Sequence, residues 1–190
     1  MQNDLSLPRN LVHPPIENLP ISKVKVRLSI EKSCYFSLVF IAGNQARIVE
    51  VNEELTDNIN ALKGFLNDLI SDKSEAYIEV DGLYMVTCID VCKLDHQHIL
   101  LRVFELDYKA VEPFEGDRGP RVFIEAKVEL KRLVWELYTS FCKLPPMATG
   151  AGFSYYPKHG NKDWCKMPEV EAWLNLRALC DWMLYPDDDI

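Results

Sequence analysis

The chain has 190 residues, 48% of them hydrophobic and 26% charged, with a formal net charge of −8. That length and composition fit one globular domain and exclude extended disorder over most of the chain. The negative balance excludes a binder of nucleic-acid backbones, which needs a basic stripe to release counterions, and suits a basic protein partner.

Residues 1–22 hold Pro8, Pro14, Pro15 and Pro20, which forbid a continuous helix and predict an extended arm; residues 23–190 read as a single domain. From Lys23 the pattern changes. Val24, Val26, Leu28 and Ile30 alternate with Lys25, Arg27, Ser29 and Glu31, the period of a strand buried on one face. Cys34 to Ile41 is more uniformly apolar and predicts a central strand. Ala42-Gly43-Asn44-Gln45 predicts a turn, and Ala46 to Val51 a third strand.

Asn52 fits an N-cap, with Glu53 and Glu54 in the first turn, where the helix dipole favours negative charge. Leu55, Ile59, Leu62, Leu66 and Leu69 follow at helical spacing, predicting an amphipathic helix that ends near Ser71. Residues 75–81 and 83–92 flank Asp81-Gly82, a hairpin signal. Asp95-His96-Gln97 predicts a turn, His98 to Leu106 a strand, and Arg121 to Ala126 a last short strand. A second helix is predicted from about Val128 to Lys143, with Leu130, Leu133, Val134, Leu137 and Phe141 on its apolar face, stopped by Leu144-Pro145-Pro146. Residues 145–167 form a loop rich in Gly, Pro and aromatics, and Pro168 opens a third helix. The expected architecture is α+β: an antiparallel sheet of six or seven strands, two amphipathic helices on one face, and the third helix toward the C-terminal end.

The N-terminal residues lack the apolar run of a signal peptide, and no stretch approaches the roughly 20 apolar residues of a membrane span. The expectation is a cytoplasmic protein with no membrane partner and with its six cysteines reduced. Cys34, Cys88, Cys92, Cys142 and Cys180 fall in apolar periodic segments and are expected to pack as small hydrophobes, leaving Cys165 exposed.

Little chemistry is legible. His96 and His98 would share a strand face, but nothing at motif spacing completes a metal site, so no metal or cofactor is expected. There is no Cys-x-x-Cys, phosphate loop, dinucleotide fingerprint or Gly-x-Ser-x-Gly elbow. Asp90, between Ile89 and Val91, is expected on the solvent face by alternation. No catalytic set emerges, and the protein reads as a non-enzyme.

Charge is unevenly placed. Residues 52–143 carry 11 basic and 18 acidic residues, a balance of −7, against +2 for residues 1–51 and −3 for residues 144–190. Within that block Glu105, Asp107, Glu112, Glu115 and Asp117 fall inside thirteen residues that contain one cation, Lys109, with Tyr108, Pro113 and Phe114 interleaved. One reading is a solvated loop. The other is a partner surface in which carboxylates steer a basic protein and aromatics anchor it. Tyr155, Tyr156 and Trp164 of the second loop are candidates for the same surface, or for a flap over the core.

From about Tyr35 to Lys143 the order of features resembles a family of small bacterial immunity proteins associated with polymorphic or contact-dependent growth inhibition toxins. The residues that carry it are Ile48-Val49-Glu50-Val51, the stripe from Leu55 to Leu69, the two strands around Asp81-Gly82, Leu101-Arg102-Val103-Phe104, and Val122-Phe123-Ile124-Glu125-Ala126 leading into Leu130, Leu133 and Leu137. The resemblance implies a protein that binds one cognate toxin domain and blocks its active site or its access to substrate. Many such toxins cut nucleic acid and are basic, which an acidic inhibitor suits. Two other readings stand beside it: a small-ligand or enzymatic domain with its site under residues 153–164, using Asp90, His96, His98 or His159, and a structural or adaptor protein.

Overall fold

The alternating segments form seven strands: β1 (Val24–Ile30), β2 (Tyr35–Ala42), β3 (Gln45–Asn52), β4 (Glu75–Asp81), β5 (Met85–Lys93), β6 (His98–Asp107) and β7 (Arg121–Glu129). The apolar stripes form helices α1 (Asn58–Ile70), α2 (Leu130–Cys142) and α3 (Pro168–Leu174). This is a computed structural model, and it describes residues 19–30, 35–52, 58–81, 85–107, 121–143 and 166–174. The predicted arm lies outside the described residues up to residue 18, as do Asn52's predicted first helical turn, the Asp81-Gly82 turn beyond Asp81, and the long loops.

The chain is α+β, but its strands make two antiparallel sheets rather than the single sheet expected. One has the order β1-β2-β3 and the other β4-β5-β6-β7. The division falls where α1 intervenes between β3 and β4. A tight hairpin forces its strands to pair, whereas a helical connection leaves the pairing open. Within the first sheet, Gly43 turns β2 into β3 at φ 59, a left-handed conformation that costs glycine nothing.

The sheets share one core. Val24, Leu38 and Phe40 enter it from the first sheet, Ile89, Leu101 and Ile124 from the second, and Leu69, Leu133, Phe141 and Leu174 from the helices. Each such side chain contributes about 1.5–3 kcal/mol on burial. α1 packs along β4, α2 along β1, and the three helices touch one another.

Side chains of the helix and of neighbouring segments satisfy exposed strand edges. The Val26 N–H donates to Glu136 Oε2 at 3.4 Å, and Ser140 Oγ donates to the Val26 carbonyl at 2.5 Å. Four residues apart on α2, these two groups close the outer edge of β1 at that point. The edge of β7 is treated similarly. Ile21 forms a parallel bridge with Lys127, the Ser22 N–H donates to the Lys127 carbonyl at 2.8 Å, and the Glu125 N–H donates to Gln45 Oε1 at 2.9 Å. The last residues of the predicted arm are thus tied to the second sheet.

β7 runs three residues further than predicted and passes directly into α2. Glu129 is the N-cap, extended at φ −74 and ψ 126, with no side-chain capping bond.

Candidate binding surface

The acidic segment leaves the second sheet at the end of β6 and returns at the start of β7. Its two ends are adjacent on the ladder, where Glu105 pairs with Arg121. A register shift between Val103 and Phe104 places Phe123 as the extra residue on β7, and such bulges increase local twist and re-aim side chains. Phe123 thereby packs against the shared core. The Arg47 guanidinium of β3 lies 3.9 Å from its ring centroid, and Arg121 lies 5.0 Å from the same ring.

Glu105 stands apart from the other carboxylates of the segment. It is 6% exposed and forms an ion pair with Arg47, so it joins the two sheets rather than facing a partner. Alternation along β6 gives Glu105 inward parity, and the Arg47 guanidinium offsets the desolvation cost of burying its charge. Asp107 closes β6 opposite Met85. Tyr108, Glu112, Phe114, Glu115, Asp117, Tyr155, Tyr156 and Trp164 lie outside the described residues, and Glu105 is the one predicted contact residue whose side chain is described.

The ends of the aromatic loop are fixed by the helices. α2 ends at Cys142, and α3 is anchored by buried Met167, Val170 and Leu174. Tyr138 Oη donates to Glu171 Oε1, tying α2 to α3. Burial first, and then this bond, push the Tyr138 phenol above its ordinary range, so it stays a neutral donor. Cys142 is exposed at the end of α2, contrary to the burial expected of it, because the last helical turn rotates it off the apolar stripe. Cys88 is buried and Cys92 half-buried.

The outer face of the second sheet carries a polar cluster that the sequence reading did not assemble. Asp90, expected in solvent, is 7% exposed and ion-paired with Arg102, its neighbour across the β5–β6 ladder. Beside it Tyr77 Oη lies 2.9 Å from Glu79 Oε1 and 3.0 Å from Cys88 Sγ. Burial drives the Cys88 thiol up to about 11, against the lowering effect of the Tyr77 hydrogen bond. It is therefore protonated near neutrality and a poor nucleophile. Burial also raises Cys92 and Tyr77 above their ordinary values. The Asp90–Arg102 and Tyr77–Cys88 pairs each join strands whose register must be known first, so their spacing in the sequence gave no signal.

The residues of the enzymatic reading are separately engaged. Asp90 is held by Arg102, and His98 Nδ1 lies 3.0 Å from Asp95 Oδ2 in the β5–β6 turn. His96 is exposed on that turn, and His159 lies outside the described residues. Among the described residues, no group of three or more His, Cys, Asp or Glu side chains is placed to hold a metal ion, and no helix is long and apolar enough to cross a membrane. Comparisons with protein-family models, curated proteins and solved structures give no match to this chain.

Proposed function

We propose that the protein is a cytoplasmic, non-enzymatic immunity protein that binds and neutralises a cognate toxin domain, by covering its active site or its route to substrate. The observation that carries this reading is the mounting of the acidic segment. Asp107, Glu112, Glu115 and Asp117 belong to a stretch held at adjacent rungs of the β6–β7 ladder. The root of that stretch is braced by Arg47, Glu105 and Phe123. Carboxylates so concentrated attract a basic surface over about a Debye length, roughly 8–10 Å at physiological salt. This steers association more than it adds affinity. Tyr108 and Phe114, with Tyr155, Tyr156 and Trp164, supply the residue types that anchor interfaces. A nuclease, basic because it holds a polyanion, is the toxin class this surface suits.

The engagement of Asp90 by Arg102 and of His98 by Asp95 weighs against the enzymatic alternative. The test is co-expression of this chain with a candidate toxin domain taken from its neighbouring genes. Growth arrest by the toxin alone, relieved by this chain with co-purification of the two proteins, is the expected result. Unrelieved arrest, or relief without a complex, contradicts the proposal.

A further inference from the structure

The far end of β7 carries a surface of opposite sign. Where Ile21–Ser22 joins β7 and leads into β1, a groove of about 250 Å³ lies between Lys23 and Lys25 on one side and Glu129 and Arg132 on the other. Its walls are held by the backbone: the Ser22 N–H is bonded to Lys127, and the Gly43 N–H donates to the Lys23 carbonyl at 3.1 Å. Arg132 is placed by Glu136, 2.6 Å away, the same carboxylate that accepts the Val26 N–H. Among the groups named, Lys23, Lys25 and Arg132 stand against Glu129 and Glu136, a local balance of +1 in a molecule whose total is −8. Ile21, 54% exposed, is one of two large apolar side chains exposed among the described residues.

Two features favour an extended peptide over a compact anion. Lys23 and Lys25 are alternate residues on an extended backbone, roughly 6–7 Å apart along it, which matches carboxylates at alternate positions of a facing strand-like segment. The cations also lie beside an exposed isoleucine, which a phosphate group would leave uncovered. A nucleic acid is disfavoured by the net negative charge.

We propose that this groove is a binding site for an acidic, amphipathic peptide segment of a protein partner. The segment lies extended, its carboxylates facing Lys23, Lys25 and Arg132 and an apolar side chain covering Ile21. Eight residue steps along β7 from Arg121 to Glu129, at about 3.3 Å each, separate the root of the acidic segment from the groove by roughly 26 Å. The site therefore does not rest on the toxin reading, and both surfaces can be occupied at once.

The probe is a fluorescein-labelled hexapeptide alternating aspartate and leucine, titrated into the ¹⁵N-labelled full chain and followed by anisotropy and amide shifts. Saturable shifts at residues 21–25 and 129–132 are expected, weakened about tenfold by Lys25→Glu, about threefold by Ile21→Ser, and further by added salt, as screened surface pairs require. Both substitutions lie at the surface, and unchanged amide spectra elsewhere verify the fold. Equal binding of an asparagine–leucine peptide, complete displacement by pyrophosphate, or shifts confined to other residues would overturn the proposal. So would binding seen only after removal of residues 186–190, which would make the chain's own Asp187–Asp189 the occupant.

Discussion

Asp90 and Arg102 sit opposite each other on β5 and β6, with side chains only 10% and 19% exposed. Removing one member of such a pair strands the other charge, at a cost of about 3–5 kcal/mol for full burial and about 2–3 here because Arg102 keeps some solvent. Asp90→Ala should therefore lower stability by about 2–3 kcal/mol in urea unfolding, and Asp90→Leu combined with Arg102→Met should recover most of it. Equal losses in the single and double variants would contradict the pairing. Alternation along β5 assigns Asp90 to the outer face correctly, but the solvent exposure expected there is not found, since Asp90 is 7% exposed. A period of two reports which residues share a face and is silent on what covers it. Glu105 was obscured for a related reason: its cation, Arg47, comes from a strand 58 positions earlier and from the other sheet.

Asp95 is a second residue-scale test. Its carboxylate is lowered to about 2, first by the Gln97 N–H, then by the His98 ring and the His98 N–H. Because the folded value is depressed below the ordinary 3.8, the stabilisation is complete above that value and is lost as pH falls through about 2. Thermal unfolding should show Asp95→Ala less stable than the parent near neutrality, with the gap closing between pH of about 4 and about 2. A gap independent of pH would contradict the turn geometry.

At the scale of elements, α2 does more than bury a stripe. Its Glu136 and Ser140 bind the backbone of Val26, replacing the strand that β1 lacks on that side. Ser140 is buried, so Ser140→Ala leaves the Val26 carbonyl without its donor, at a cost of about 1–3 kcal/mol. Urea midpoints should register this, and a change within about 0.5 kcal/mol, the range of an inert surface substitution, would contradict it. The stripe Leu130, Leu133, Val134, Leu137 and Phe141 was readable from spacing, and all five residues are buried. Ser140 was not readable, because its burial depends on which strand edge the helix meets. The seven strand assignments rest on alternation and hairpin residues, which act locally. The partition into two sheets depends on the non-local choice made across α1, and local pattern carries no information about it.

At the scale of the molecule, two sheets and three helices enclose one core, with Arg47 and Glu105 bridging the sheets beside the root of the acidic segment. The acidic stretch of the sequence connects the end of β6 to the start of β7, and the proposed basic groove lies at the other end of β7. Charge placement of this kind acts on association rate, because attraction guides the encounter before contacts form. The concentration of carboxylates was visible in the sequence. The withdrawal of Glu105 from it was not, and the carboxylates left to the proposed partner surface are the four that follow.

The most direct test is the association rate of this protein with a toxin domain that it neutralises in the co-expression assay, measured by stopped flow at several salt concentrations. The parent chain is compared with the variant combining Asp107→Lys, Glu112→Lys, Glu115→Lys and Asp117→Lys. Association slowed by about tenfold or more at low salt, with a flattened salt dependence, is the predicted result. Unchanged rates and an unchanged salt dependence would contradict the claim that this segment recruits the toxin.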